Sequence, residues 1–344
     1  MADYSNIPDF DSLPPVKDMP QGCAWGVFDK DGKKDHLGCL NLLTPKVVQS
    51  AFKEARDGIS ISLNWPIGAI NKPGFARKGL EHKVISFQEG PFGLWGFDDE
   101  LEFNTQCSSQ WDSLVHFAHQ PTGLSYNGVQ PTREALVQSF GQVDVDKALP
   151  TLNHWHDRGG LVGRGVLLDY RAYAEAKGIA YDCFDSHAIT VQTLEDVARH
   201  QGTEFKFGDI LIVRTGFTED LGGASAEDQE RMLGTHKAVG LKGNKETARW
   251  IWNHHFAAVA GDAIAFEVLP PVIEEEGDRT GTIAELVLHQ YFLSLFGLNI
   301  GELWDLKALS AHCKNVGRYE FLLTSVPLNV PGGIGSPPNA LAIF

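Results

Sequence analysis

Two rhythms of apolar and polar positions run along the chain. The stretches "GRGVLLDY" (163–170) and "GDILIVRTG" (208–216) are short, nearly unbroken apolar runs rich in Val, Ile and Leu, which predicts buried strands. "ISISLNWPI" (59–67), "FAAVAGD" (256–262) and "YEFLLTSVPL" (319–328) read as strands as well. Between these, "TVQTLEDVARHQG" (190–202) and "ETARWIWNHH" (246–255) repeat their apolar residues with a helical period. Two further helices announce their own starts. Thr44-Pro45 is a cap followed by a first-turn proline, with Val47, Val48, Ala51, Phe52 and Ala55 on one face and Gly58 as the stop. Thr282 and Glu285 form a capping box for a helix that runs to Gly297. Strands alternating with amphipathic helices predict an α/β fold, a single domain whose central mixed, barrel-like sheet is flanked by helices. Residues 1–21, broken by Pro8, Pro14, Pro15 and Pro20, read as an extended arm ahead of a domain over 22–344.

Composition narrows the partners more than the fold. With 43% hydrophobic residues among 344, the chain can bury one large core. Its 44 acidic residues against 29 basic ones are a poor match to nucleic acid or an anionic membrane, and acidity alone does not say what the partner is. The five cysteines are dispersed without a C-x-x-C pair and read as reduced thiols. The acidic, proline-rich start does not look like a signal peptide. Ile283 to Ile300 is apolar but carries Glu285, His289, Gln290 and Asn299, so it reads as a buried helix and not a membrane span. A cytoplasmic location is expected.

One stretch breaks the pattern. "TQCSSQWDSLVHFAH" (105–119) mixes coordinating side chains with Trp111, Leu114, Val115 and Phe117. Gln106, Gln110, Asp112 and His116 share one parity, so in an extended strand all would face one way. From Gln106 to His116 a straight strand spans about 33 Å, so the four converge only if the segment curls. A polar sheet edge without function is the competing reading. A second pair, His289 and Glu302, sits thirteen positions apart near Gly297 and Gly301, although a lone helix histidine is more often a packed residue than a ligand.

These residues resemble a known motif. The chain is similar to the cyclase/kynurenine formamidase-like family of metal-dependent hydrolases, which includes isatin hydrolase. That family carries His-x-x-x-His-x-Asp-x-x-x-His, and "QCSSQWDSLVH" falls on it as Gln106, Gln110, Asp112 and His116. His289 and Glu302 in "HQYFLSLFGLNIGE" match its later histidine and glutamate. Weaker similarity continues through "DHLGCLNLLTP", "GRGVLLD", "AVAGDAIAFE" and "SVPLNVPGGIGSPPNALAIF". Here both leading histidines are glutamines and the motif's usual proline is Leu114, a Ser-Gln-Trp-Asp variant of Thr-His-x-Asp. An amide oxygen is a weaker zinc ligand than imidazole. The resemblance therefore implies one divalent ion, zinc or manganese, and not a full pair.

The resemblance implies a swivelling β/β/α domain that hydrolyses an amide, lactam or related C–N bond in a small, aromatic substrate. Asp112, His289 and Glu302 would hold the ion with help from Gln110 and Gln106, and Asp112 and His116 would be catalytic. Trp65, Trp111 and Arg214 are candidates for the substrate pocket, with Trp25 alongside; the tryptophans fit a core equally well. A dehydratase or cyclase using Asp112 and His116 without metal, and a non-catalytic binding homologue, remain open. His119, His154 and His156, the His254-His255 pair, Cys107 and the Gly332–Ala340 stretch are weaker candidates. A homodimer or homotetramer is expected, with the arm reaching a neighbour.

Overall fold

The computed structural model describes residue 4 and residues 6–91, 93–137 and 149–344. Its centre is a curled nine-stranded mixed sheet. In spatial order the strands are Ser60–Ser62, Ala340–Ile343, Glu320–Ser325, Leu161–Asp169, Ile210–Arg214, Ala258–Gly261, Ile300–Glu302, Gln110–Asp112 and Gly335–Ser336. The four strands from Leu161–Asp169 to Ile300–Glu302 run parallel, and the outer ones pair antiparallel. Parallel strands are covered on both faces, which is why Ile210–Arg214 and Ala258–Gly261 are buried at every position.

The covering helices follow the sequence closely. Thr190 accepts the Thr193 N–H, and Gly202 closes Val191–Gln201 in the left-handed conformation while Leu194, Val197 and Ala198 face the core. Asn244 caps Lys245–Asn253, which buries Ala248, Ile251 and Trp252.

Two helices differ from expectation. The helix capped by Thr44 is α-helical only over Pro45–Ala51, then tightens to a 3₁₀ turn at Phe52–Glu54. Phe52 is 57% exposed, whereas Glu54 is buried. The reason is electrostatic: the Glu54 carboxylate meets the buried Arg164 at 3.4 Å and Arg56 at 2.8 Å. The Thr282 capping box forms, but Leu286 adopts an extended ψ of 125° and divides the helix. After it, Val287–His289 is α-helical and Gln290–Phe296 is a π-helix, ended by Gly297 in the left-handed region.

A separate two-stranded hairpin, Glu81–Ser86 with Phe97–Glu102, is exposed along most of both strands. Trp95 at its turn is 88% exposed and Phe97 73%. Among the described residues no helix is long and apolar enough to cross a membrane.

Candidate active site

The site is built where two chain-distant strands pair. Ile300–Glu302 runs antiparallel to Gln110–Asp112, with Glu302 opposite Gln110 and Ile300 opposite Asp112. Only those three residues of the 105–119 stretch are strand; Gln106 lies in a turn before it and His116 in a bend after it. The segment does curl. Gln106 folds back across Gly335, where a Cβ would come within 2.5 Å of its Cγ, so only glycine lets the glutamine lie there. Gly301 is equally constrained, since a Cβ would fall 2.8 Å from both the Ala260 Cβ and the Trp304 indole nitrogen. That indole in turn donates to the Gln110 carbonyl at 3.1 Å, and Asn299 donates to the Asp112 carbonyl at 2.8 Å, so the backbone under the site is fixed from behind.

Asp112, His289 and Glu302 come together, each buried, with one donor atom apiece inside a 4.8 Å cluster. Carboxylate oxygens only accept, so the neighbouring amides must turn their nitrogens toward them. Gln106 Nε2 donates to Asp112 Oδ1 at 2.5 Å and lies 3.2 Å from His116 Nδ1. Gln110 Nε2 donates to Glu302 Oε2 at 2.8 Å. This orientation leaves Gln110 Oε1, Asp112 Oδ2 and Glu302 Oε1 buried without a hydrogen-bond partner among the described residues. Glu302 Oε1 lies 3.3 Å from His289 Nε2, an ion-pair contact without hydrogen-bond alignment. Buried oxygens left unpaired are costly, by about 1–3 kcal/mol each. The Asp112 and Glu302 carboxylates with the His289 imidazole are a donor set that suits one divalent cation. Gln106 and Gln110 both turn their amide nitrogens, not their oxygens, toward these carboxylates.

Electrostatics follow from burial. Loss of solvent pushes the Asp112 carboxyl above the usual carboxylate range; Glu302 adds to the rise, while His116, His289 and Arg77 oppose it. For His289 burial works against the charged ring, yet Glu267 and Glu302 outweigh it and push the group up to about 10. Glu267, a site residue the sequence reading did not single out, is fully buried and accepts from both the ring Nδ1 at 2.9 Å and the backbone N–H of His289 at 2.8 Å. Its other oxygen accepts the Val287 N–H at 3.0 Å. The signal was present as a carboxylate inside the apolar run "AIAFEVLP", a placement that needs strong partners.

Beside the cluster opens a cavity of about 200 Å³ whose walls include Phe75, Arg77, His116, Phe117, Ile264 and Leu286. The tryptophans are elsewhere. Trp111 is fully buried, packs against Trp155 and Trp304, and donates to Ser325 Oγ at 2.9 Å. Trp65 is buried with its backbone N–H on Ser109 Oγ, and Trp25 donates to the Ser294 carbonyl. All three are packing residues, and the aromatic wall is Phe75 and Phe117. Arg214 is no anion site either: Asp169 at 2.7 Å and Glu219 already hold its guanidinium. His119 bonds Thr122, His154 stacks on His36, and His254 and His255 end a helix beside Phe205 and Phe207. Cys107 is buried, and loss of solvent raises its thiol pKa, which disfavours the thiolate.

Residues 45–268 match the Cyclase family, described as "Putative cyclase". Among solved structures, one described as a novel cyclase superposes with a TM-score of 0.76 at 28% identity, covering 94% of this chain and 99% of that one. Isatin hydrolase A from Ralstonia solanacearum shares the fold, with a TM-score of 0.54 and 14% identity over 87% of this chain and 97% of its own. An isatin hydrolase bound to the product analogue thioisatinate does so at the same TM-score of 0.54 and 14% identity, over 88% of this chain and 99% of its own. No curated protein matches in sequence.

Proposed function

The chain belongs to the Cyclase family, and from that premise we propose that it is a metal-dependent hydrolase of an amide, lactam or related C–N bond in a small aromatic substrate. The observation that carries this reading is the buried cluster of Asp112, His289 and Glu302, in which each carboxylate keeps one unpaired oxygen. Asp112, Glu302 and His289 would hold the ion, with the Gln110 amide packed against both carboxylates. When bound, a divalent ion there supplies Lewis acidity toward a carbonyl and toward water.

The rest of the chemistry belongs to the chain. Glu267 fixes the His289 ring from behind and keeps Nδ1 protonated, so Nε2 is the nitrogen offered forward. Gln106 Nε2 lies 3.2 Å from His116 Nδ1 and 3.3 Å from its Nε2, which holds the imidazole beside Asp112 as the group placed to move a proton. Phe117 packs its ring edge against His289 at 5.5 Å and, with Ile264 and Leu286, gives an apolar seat that excludes water from the reacting bond.

The test is Asp112→Ala. Elemental analysis is expected to show metal stoichiometry falling to background, and hydrolysis of aryl amides, N-formyl arylamines and aryl lactams to stop, with the circular-dichroism spectrum unchanged. Full metal content in the variant would refute the assignment. A second reading has its own support: Gln106 bridges Asp112 and His116, and burial lifts the Asp112 carboxyl. These two groups could pass a proton in a dehydratase or cyclase without any ion. Turnover that survives exhaustive chelation selects that reading.

A further inference from the structure

Two arginines buried near the sheet have full sets of anionic partners. Arg164 sits among Asp209, Glu54 and Glu320, and Arg214 between Asp169 and Glu219. Arg77 is different. It lines the cavity beside His116, His289 and Glu302. One nitrogen donates to the Gln106 carbonyl at 3.0 Å, and the guanidinium carbon lies 5.2 Å from the centre of the Phe75 ring. Among the described residues it makes no ion pair with a carboxylate. Of the pocket's own acids, Asp112 and Glu302 each have one oxygen held by a glutamine amide; Arg77 acts on Asp112 only through space, without an ion-pair contact.

The backbone presents this side chain at a conformational cost. Phe75 and Ala76 both have positive φ, 58° and 54°, a region that costs roughly 1–2 kcal/mol for each residue bearing a Cβ. Strained pairs of this kind cluster where a ligand is gripped. A planar guanidinium, braced on one edge by a carbonyl and on one face by a ring, keeps a fork of N–H groups for a carboxylate.

We propose that Arg77 is the specificity residue of this pocket and that it selects substrates carrying a carboxylate on a small aromatic body. The proposal rests on the hydrolase reading for the identity of the site, and it adds the substrate's charge. The carboxylate forks onto Arg77, the ring lies between Phe75, Phe117 and Ile264, and a cavity of about 200 Å³ limits the whole to a small molecule. The acidic chain as a whole repels anions, so selection for one has to come from a local cation such as this.

The experiment compares benzoate with its neutral isostere benzamide by calorimetric titration, on the full-length protein as purified and after chelation. Chelation removes any ion that would itself bind a carboxylate. Wild type is expected to prefer benzoate roughly tenfold or more. Arg77→Gln should abolish that preference with benzamide binding unchanged, and Arg77→Lys should keep part of it. A preference absent from the chelated wild type, or intact in Arg77→Gln, overturns the proposal. So does loss of benzamide binding in both variants, which would make the guanidinium a structural brace. Metal content measured on the same samples separates the two ideas. Protein that binds no ion but keeps an Arg77-dependent preference sinks the hydrolase reading alone; metal without the preference sinks this inference alone.

Discussion

At the scale of single residues, the two glutamines have a role that ligand chemistry alone did not suggest. Each turns its amide nitrogen to a carboxylate and so shares out the negative charge of Asp112 and Glu302. Replacing both, Gln106→His with Gln110→His, puts imidazoles where these donors were. Metal content in excess zinc is expected to rise toward a second ion, because imidazole binds zinc better than an amide does. Side-by-side elemental analysis of wild type and double variant is the check; equal content in the two would show that the motif's histidines alone do not build the second site. Glu267→Gln keeps the shape but weakens the grip on His289 Nδ1. Metal affinity should fall by roughly 10–100-fold, the usual effect of losing such a partner, with the fold intact. Competition with a chromophoric chelator measures it, and an unchanged affinity would reduce Glu267 to a helix anchor.

Among elements, what could be read from the sequence depended on whether one periodicity governed a segment. The parallel strands were legible because burial on both faces gives a continuous apolar run, as in "DILIV". Thr190, Thr44 and the Thr282–Glu285 box were legible because capping is local. The site was legible only in its residue types. Asp112, His289 and Glu302 are brought together by a pairing between strands, and periodicity carries no information on which strands pair. Trp111 and Arg214 were misplaced because a tryptophan or an arginine reads alike in a core and in a pocket. The division between them is made by partners such as Ser325 and Asp169. The same holds for Glu54, drawn inward by Arg164, against the helical period that would bury Phe52. Arg164→Met would leave Asp209 buried without its cation, while Glu54 keeps Arg56. A loss of about 3–5 kcal/mol in unfolding free energy is expected from denaturant titration, since removing one partner strands the other. A loss under 1 kcal/mol would mean that the Asp209 carboxyl tolerates burial without Arg164.

For the whole molecule, the exposed hairpin is the feature least explained by one chain. Two strands alone are marginal in water, and Trp95, Phe97 and Leu101 offer apolar surface with no cover among the described residues. We expect a dimer or tetramer by light scattering at micromolar concentration, shifting toward monomer in Trp95→Ser with Phe97→Ser. A monomer mass for wild type would count against it. The order of strands has a temporal meaning as well. Ser60–Ser62 pairs with Ala340–Ile343, and Gln110 reaches its partner Glu302 across 192 residues. At bacterial or eukaryotic synthesis rates, the early strand waits roughly 10–40 s for the later one to leave the ribosome. Until then Asp112 and the unpaired edges of its strand lack their neighbour. A nascent chain halted before Ile300 would hold Asp112 and His289 without Glu302 or the strand that joins them, and it would depend on chaperones to keep that bare edge from other chains.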